Sequence, residues 1–385
     1  MRLMIVILII AASLYGGWFF IPGAYWTFQD GTAGLLYVQG DYEKFGWEVD
    51  SRYAFSGDYW ISGAMDWKLI GERTGIEFSY SADSLEKDYR KPNVIEDDTI
   101  NGYAPYELKE YSIYLHQNFN VGPSQKFYLY AGYNSGEYTS RYRYDSSTGE
   151  QTPGDEERVA SAVDAGFEFS MDSRDDPENP ETAFYFGIRL GGLYFQNAGE
   201  PDFDYLRSAQ LSDPENEFGS GTGYIKLDQR IYGKLQTKQV PFPLILTLRI
   251  SGGHYLAEVP QLMAFKAGAD DFLRGIDQRH IMGRSYYYMG GELRAQVWER
   301  SYTPLILLHW LIPGYENPQP ILEIAPIVEA GKVYSEYLGE EEKQYMTFGL
   351  GVRWIFTDYT VVRYDFAYWP DGKIWGAYFS FKPSI

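Results

Sequence analysis

The chain contains few of the side-chain arrangements that carry enzymatic chemistry. Its four histidines, at positions 116, 254, 280 and 309, are far apart, and none has the H-E-x-x-H spacing of a zinc site. The chain has no cysteine, which excludes thiolate metal ligands and disulfides, and it has no G-x-S-x-G nucleophile motif. We therefore predict no enzyme and no cofactor. A lipid hydrolase that assembles Ser, His and an acid from separate strands stays open as a minor alternative.

Carboxylates are abundant, but their arrangement does not define a metal site. Asp and Glu outnumber Lys and Arg by 53 to 33, which gives a net charge of −20. This balance argues against a nucleic-acid partner, because phosphate binding needs a basic face. Acidic groups such as Asp97-Asp98 and Glu340–Glu342 lack the spacing of a calcium loop, and solvated loops explain them more simply.

One arginine has a setting that suggests a structural role. Arg274 lies in the connection at 256–285, which is unusually long for a loop without a function, and Gly275 beside it permits a sharp turn. If this loop folds inward, the guanidinium fork of Arg274 suits inward carboxylates on later strands. The best candidate partners are Glu292 and Glu329, with Asp365 third, because their positions in the alternating strands described below would face inward. The alternative is an exposed arginine in a polar loop, beside charges that line the interior without contacting it.

The elements that would position these carboxylates are predicted to be β-strands. Between Tyr224 and Leu235, polar and apolar residues occupy opposite parities: Tyr224, Lys226, Asp228, Arg230 and Lys234 against Ile225, Leu227, Ile231 and Leu235. Because successive strand side chains point to opposite faces, one face would meet lipid and the other a polar lumen. The same alternation recurs at 158–172, 183–195, 286–298, 347–356 and 361–369.

The alternation predicts the number and arrangement of strands. We count 16, at 18–28, 32–41, 44–55, 58–68, 73–82, 108–120, 125–143, 157–171, 183–195, 221–236, 242–255, 286–298, 320–334, 345–356, 360–369 and 374–382. Long polar connections then fall on one side, at 83–107, 144–156, 196–220, 256–285 and 335–344. The other side has mostly short turns, as in outer-membrane barrels. The sequence thus predicts an all-β fold, a 16-stranded antiparallel transmembrane β-barrel with a long loop folded into the lumen.

The aromatic content and the N-terminus favour a membrane barrel over a soluble β-sandwich or propeller. The chain has 36 Tyr, 23 Phe and 10 Trp, an excess that suits aromatic belts at two membrane interfaces. A propeller would show an internal repeat, and none is found at a fixed period. Residues 1–13 are predicted to be a signal peptide, with residues 14–385 as the barrel; an uncleaved membrane anchor is the rival interpretation.

Three short segments carry a resemblance to a known family. They are Asp172-Ser173-Arg174-Asp175 with Pro180 after it, Leu273-Arg274-Gly275-Ile276, and Val328–Tyr334. They are similar to a D-x-R-D…P turn, a V-R-G-F/Y loop tetrapeptide and a D-x-G-x-V-W/Y strand end, respectively. In this order and spacing they resemble the barrel domain of the Omp85 superfamily, the bacterial surface antigens that include BamA- and TamA-like proteins. The resemblance covers nearly the whole predicted barrel.

The resemblance implies roles for particular residues. It implies a lock in which Arg274 and Gly275 of the loop meet the acids Glu292, Glu329 and Asp365. Asp172, Arg174 and Asp175 are expected at a periplasmic turn, on the side of the short connections; the resemblance implies a fold-locking role for them, while a solvated Asp-rich turn is the alternative. The first and last strands would meet at a strained seam, containing Pro22, Gly23 and Phe381. Two departures from the family are expected: we predict a POTRA-less form of the barrel or a gene fragment, and a final strand signalled by Phe381 rather than by a terminal aromatic residue.

The resemblance also implies a location and a function. It implies a bacterial outer-membrane protein that aids insertion or translocation of proteins, or of lipid. The partners would be outer-membrane lipid, unfolded outer-membrane polypeptides, and periplasmic or lipoprotein partners. The alternatives from the residues alone are a passive channel, a surface structural barrel and, with less support, the outer-membrane lipid hydrolase.

Overall fold

The computed structural model describes most of the chain. The described residues are 18–27, 31–42, 44–54, 59–71, 73–85, 106–145, 150–174, 181–197, 220–235, 240, 242–257, 259–267, 272–274, 281–299, 321–334, 343–357, 360–371 and 373–383. The predicted signal peptide at 1–13 lies outside these residues. Within the part of the chain that the structure describes, no helix has the length and apolar character needed to span a bilayer.

Long antiparallel strands account for almost all of the described structure. The main sheet contains β1 (Trp18–Thr27), β2 (Gly31–Tyr42), β3 (Phe45–Ala54), β4 (Tyr59–Ile70), β5 (Thr74–Leu85), β6 (Tyr106–Gly122), β7 (Gln125–Asp145), β8 (Glu150–Asp172), β9 (Ala183–Asn197), β10 (Gly221–Leu235), β11 (Leu244–Tyr255), β14 (Ser285–Glu299), β15 (Ile321–Tyr334), β16 (Lys343–Thr357), β17 (Thr360–Trp369) and β18 (Ile374–Pro383). A short 3₁₀ turn at Gln261–Met263 precedes a small hairpin of β12 (Phe265–Ala267) and β13 (Ile281–Gly283).

The sheet follows the order of the chain. All 16 strands pair antiparallel with their neighbours in sequence, except that β11 pairs with β14 and leaves the β12–β13 hairpin as a separate two-stranded sheet. The first and last strands, β1 and β18, lie beside each other, so the sheet curls round on itself. The prediction of an all-β, 16-stranded antiparallel barrel is therefore confirmed.

The two faces of the strands differ as the alternation predicts. On β10 the side chains of Ile225, Ile231 and Leu235 are 38%, 45% and 46% exposed on the outer face. Charged side chains of the opposite parity are shielded inside, and Arg294 on β14 and Glu323 on β15 are 1% and 0% exposed. This pattern is expected when the outer face is buried in lipid and the inner face forms a polar lumen.

The predicted loop at 144–156 is wrong. Strands β7 and β8 continue to pair through Arg143↔Thr152 and as far as Asp145↔Glu150. A register shift between Ser140 and Tyr142 lies next to the pair Tyr142↔Pro153, a place where proline is tolerated in a sheet. The polar composition was misleading because the backbone hydrogen bonds of an antiparallel pair form whatever the side chains, so a polar stretch of strand lacks the apolar alternation that would mark its length.

The barrel interior is occupied by part of the connection between β11 and β14. We call residues 259–267 and 272–274 the luminal segment. One buried apolar cluster joins Val259, Leu262, Ala264 and Phe265 of the segment to the inner wall from β6 to β11. A second cluster joins Leu273 to the wall from β14 to β17. The predicted inward course of the long loop is thus observed in its described residues.

Candidate functional site

Three carboxylates are brought to one part of the lumen by β14, β15 and β17. Glu292, Glu329 and Asp365 occupy inward positions on these strands. Cross-strand pairing fixes their heights, because Glu329 lies opposite Gly290 and Thr347, while Asp365 lies opposite Gly351. Glu329 and Asp365 are almost fully buried, at 0% and 1% exposure, so each needs a charged or hydrogen-bonding partner.

Arg274 of the luminal segment supplies that partner to all three acids. Its Nη2 lies 2.7 Å from Glu292 Oε1 and 2.6 Å from Glu329 Oε1. Its Nε also donates to Glu329 Oε1, at 2.8 Å, and its Nη1 donates to Asp365 Oδ2, at 2.9 Å. A planar guanidinium with several fixed donors can serve three carboxylates at once, which an ammonium cannot do with the same geometry.

The backbone before Arg274 is held in an uncommon conformation. Leu273 has a φ of 54°, in the left-handed region that costs a non-glycine residue on the order of 1 kcal/mol. The backbone N–H of Arg274 donates to Glu329 Oε2 at 2.6 Å. The Leu273 side chain is 1% exposed and belongs to a buried cluster with Tyr288 and Trp369. Packing on one side and the carboxylate on the other thus hold the turn that presents Arg274.

Small residues on the wall leave space for this segment. A Cβ at Gly331, which faces inward on β15, would lie 3.0 Å from Leu273 Cδ1 and 3.1 Å from the carbonyl oxygen of Tyr287. A Cβ at Gly351 would collide with Asp365 Oδ1. Glycine at these two positions therefore allows the segment and the acid to approach the wall closely.

Further inward residues of the wall complete the cluster, and the sequence did not predict that they contact these acids. Arg353 forms an ion pair with Glu292, and Arg363 lies 2.5 Å from Asp365 Oδ2. Tyr288 donates to Glu329 Oε1 at 2.7 Å, and Thr347 to Glu329 Oε2 at 3.3 Å. Alternation along the strands predicts that these residues face inward. It does not predict which inward polar residues lie at the same level of the barrel.

The formal charges of the cluster cancel. Three arginines, 274, 353 and 363, face three carboxylates, 292, 329 and 365. Burial alone would lower the pKa of the Arg274 guanidinium, but the three carboxylates raise that pKa well above its usual value. Arg274 therefore stays charged at any physiological pH, and its removal would leave the buried cluster with one uncompensated negative charge.

The luminal segment has a second attachment, which is apolar. We call Val259, Leu262, Ala264 and Phe265 the apolar anchor, and Arg274 with Glu292, Glu329 and Asp365 the charged anchor. Leu262 packs among wall side chains that include Leu108, Tyr138 and Ala160. The Phe265 ring stacks on Tyr255 with ring centroids 4.2 Å apart. The two anchors hold the segment against different parts of the barrel wall.

The predicted turn motif is local in the structure. Arg174, just after β8, folds back on Asp172, with its Nε 2.9 Å from Oδ1 and its Nη2 2.7 Å from Oδ2. The backbone N–H of Arg174 also donates to Asp172 Oδ1, at 3.0 Å. The guanidinium lies over the ring of Tyr185, 4.7 Å from its centroid. Asp175, like Gly275 of the luminal loop, lies outside the described residues.

The predicted seam residues lie on the first and last strands. Pro22 and Gly23 are in the middle of β1, opposite Leu36 and Leu35 of β2, and Phe381 on β18 lies opposite Val362 of β17. All three thus belong to the strands that meet where the sheet curls round.

Among the described residues, no group of three or more His, Cys, Asp or Glu side chains could hold a metal ion.

Comparison with known proteins assigns the family. A family model for the Omp85 superfamily domain matches residues 31–381, which is most of the chain. A search of curated proteins gives no match.

Solved structures share the barrel fold. BamA from Haemophilus ducreyi lacking POTRA domains 1-3 aligns with a TM-score of 0.54 at 10% identity, over 96% of this chain and 70% of that one. CdiB from Acinetobacter baumannii gives 0.57 at 13% identity, over 96% and 59% of the two chains. CdiB from Escherichia coli gives 0.57 at 9%, over 94% and 61%. The chain thus spans less than two thirds of either CdiB. The chain belongs to the Omp85 superfamily and is a β-barrel of the bacterial outer membrane.

Proposed function

We propose that this barrel aids the insertion or translocation of polypeptides at the outer membrane, and that the charged anchor is the lock of its resting state. Membership of the Omp85 superfamily supports this role at a general level. The observation that carries the proposal is the position of Arg274, which is buried among three carboxylates of three different strands. A single side chain thereby ties residues 272–274 of the luminal segment to β14, β15 and β17.

Opening the lock has a substantial cost in free energy, but it requires the contacts of only one side chain, Arg274, to break. Removing one partner of a buried ion pair typically costs about 3–5 kcal/mol, because the other partner is left charged and desolvated. A client polypeptide that offers its own donors or carboxylates to the cluster would compensate for that loss. Release of Arg274 would then free the lumen-facing side of β14 to β17 and move the segment within the barrel.

The seam between β1 and β18 is the second element of the proposal. A sheet edge presents unpaired backbone groups, which are the natural template for an incoming strand. Pro22 lacks a backbone donor and Gly23 lacks a side chain to pack, so both weaken pairing in the middle of β1. We infer that this seam, with Phe381 on β18, opens more readily than other strand pairs and admits client strands or lipid.

No nucleotide is available outside the cytoplasm, so the energy for insertion must come from elsewhere. In this proposal it comes from the folding of the client itself and from the strained seam, while contacts between the client and the cluster offset the free energy needed to open the lock. The proposed partners are unfolded outer-membrane polypeptides, outer-membrane lipid and periplasmic or lipoprotein partners that deliver the clients.

A passive diffusion channel is the second candidate. The observation that favours it is a set of four acids on β3 to β5 that hydrogen-bond or pair with polar side chains and belong to neither buried cluster of the luminal segment: Glu48, Asp50, Asp66 and Glu77. Such acids would select cations by charge. The luminal segment argues against a wide pore, because it packs against the wall on two sides of the lumen.

Depletion of the protein in its host separates the two candidates. Quantitative proteomics of the outer membrane should show selective or broad loss of other outer-membrane proteins, and those proteins would be the clients. If the outer-membrane proteome is unchanged, while the purified barrel gives large and steady single-channel conductance, the insertion role is wrong and the channel is supported.

A further inference from the structure

A row of arginine and aromatic side chains leads from the turn motif up the inner wall. Its first step is the Asp172–Arg174 pair at the end of the barrel that carries the short turns. Arg174 lies over the Tyr185 ring of β9, and Arg230 of β10 approaches the same ring, at 4.7 and 5.4 Å from its centroid. One tyrosine is therefore shared by two guanidinium groups.

The middle of the row is a shared carboxylate. Asp228 of β10 accepts from Arg230 Nη2 at 2.7 Å. It also accepts from Arg249 of β11, whose Nε lies 3.0 Å from Oδ1 and whose Nη2 lies 3.0 Å from Oδ2. The bidentate contact fixes the plane of the Arg249 guanidinium, because a fork of two parallel hydrogen bonds leaves little rotational freedom.

The row ends on the luminal segment. Arg249 Cζ lies 4.4 Å from the ring centroid of Phe272, two residues before Arg274, and 5.9 Å from that of Tyr288. The Phe272 and Tyr288 rings meet edge to face, with centroids 4.9 Å apart. Tyr288 in turn donates to Glu329, which holds Arg274. Arg249 thus touches both the segment and the wall residue that supports the lock.

We propose that Arg249 is a positioning residue for Arg274 and that this row couples the periplasmic turn to the luminal lock. We call Arg174, Tyr185, Arg230, Asp228, Arg249 and Phe272 the ladder. Each step is a cation–π or charge-assisted contact with a defined geometry, so a shift at one end changes the contacts at the next. A client that arrives at the periplasmic turn would thereby bias the lock without touching it. The coupling between the turn and the luminal segment goes beyond the proposed function, whereas its use by a client rests on that function.

The lack of cysteine in the sequence makes a single-cysteine reporter possible, and every variant is compared in the same Thr347→Cys background because Thr347 itself donates to Glu329. Thr347 is fully buried on the inner face of β16 and hydrogen-bonds Glu329 beneath the luminal segment. In Thr347→Cys protein, folded in liposomes, the rate of maleimide labelling reports how often the segment leaves the wall, provided that closing is faster than labelling. The heat-dependent gel mobility of each variant shows that the barrel is folded before labelling is measured.

Two pairs of variants test whether Arg249 positions the segment. Arg249→Ala should raise the labelling rate about fivefold, while Arg249→Lys keeps the charge beside Asp228 and should raise it less. Phe272→Leu keeps an apolar side chain but loses the ring, so it should behave like Arg249→Ala. Phe272→Tyr keeps the ring and should label at nearly the original rate, a rescue that a merely space-filling role does not predict.

A third comparison tests the coupling along the ladder. Arg174→Ala should raise labelling at position 347 about twofold or more, although the two residues are at different heights of the barrel. Lys234→Gln is the matched control, because Lys234 forms its ion pair with Glu181 at the same end but off the ladder. Lys234→Gln should leave the rate unchanged. In an Arg249→Ala background the effect of Arg174→Ala should disappear, because the connection is already broken.

The outcomes separate the proposal from its rivals. Non-additive effects of Arg174→Ala and Arg249→Ala support the coupling. Additive effects, or equal effects of Arg174→Ala and Lys234→Gln, overturn it, and an unchanged rate in Arg249→Ala overturns the positioning role. None of these results requires a client, so the ladder can fail while the insertion role stands, and the reverse is equally possible.

Discussion

The two anchors of the luminal segment differ in how they hold it. The apolar anchor spreads Val259, Leu262, Ala264 and Phe265 over a wall of aromatic and aliphatic side chains. The charged anchor concentrates its contacts on one residue, Arg274. Apolar packing is non-directional and tolerates small shifts, whereas a buried charge network is either complete or costly. The difference predicts that loss of the charged anchor releases its end of the segment at a larger cost than loss of one apolar contact.

The largest effect is expected when the charged anchor is broken. Arg274→Ala should lower the free energy for local opening of residues 272–274 by about 3–5 kcal/mol, because the buried acids lose their shared cation. Native-state hydrogen exchange at the backbone N–H groups of these residues measures this. Arg274→Lys should give an intermediate loss, since an ammonium cannot reach three carboxylates with the same geometry. Equal exchange in all three proteins would contradict the difference between the anchors.

The charge balance of the cluster sharpens this prediction. Glu329→Gln in the Arg274→Ala background restores net neutrality, so the double variant should be less destabilised than the sum of the two single changes. Thermal unfolding of the folded barrel and exchange of the segment provide two independent measurements. Simple additivity would show that the cluster does not act as a unit.

A smaller effect is expected at the apolar anchor. Leu262→Ala should cost about 2 kcal/mol of local stability, at the low end for a buried leucine, because the segment can shift to fill the space. The opening should be confined to residues 259–265 and leave the exchange of Arg274 nearly unchanged. Leu262→Met, which keeps the volume, is the control. Opening of both anchors together would mean that the segment moves as one rigid body.

The wall glycine opposite Leu273 should give a still smaller effect. Gly331→Ala places a Cβ 3.0 Å from Leu273 Cδ1, so the segment must shift slightly, at a cost of about 1 kcal/mol. The matched control is Gly233→Ala, because no heavy atom lies within 4 Å of a Cβ there. Exchange at Leu273 and Arg274 should rise in the first variant and not in the second. Equal behaviour of the two would show that the fit against β15 is loose.

The smallest effect is expected for an ion pair near the barrel end. Lys234 and Glu181 are 34% and 35% exposed, so the change Lys234→Gln should alter the free energy of unfolding by no more than about 0.5 kcal/mol. This change should also become weaker at high salt, unlike the change caused by Arg274→Ala. A large effect here would mean that burial is not what gives the charged anchor its strength.

The sequence predicted the wall of the barrel better than its contents. Period-two alternation identified every strand of the main sheet, because lipid on one side and water on the other impose it on residues such as Ile225 and Lys226. Polar composition failed at residues 150–156, where β8 continues through a polar stretch without apolar alternation. The alternation therefore predicts a strand only where every second residue is apolar.

The sequence predicted which residues of the site face inward, because side chains alternate between the two faces of a strand. It did not predict which inward residues lie at the same level along the barrel axis. Inward parity named the three acids that meet Arg274 in the structure, while their function as a lock stays a proposal. It did not select Tyr288, Arg353 or Arg363, because register between strands sets which inward residues are level. The apolar anchor was also missed, because the packing of Leu262 on a distant wall leaves no periodic signal in a loop.

The central claim is that Arg274 holds the barrel in a locked state that its function must release. The most direct measurement replaces the native protein with Arg274→Ala in the depleted host and quantifies both the barrel and the other outer-membrane proteins. The folded variant should reach the membrane with lowered stability, and client levels should change relative to the native protein. If stability and client levels both equal those of the native protein, Arg274 is not a lock.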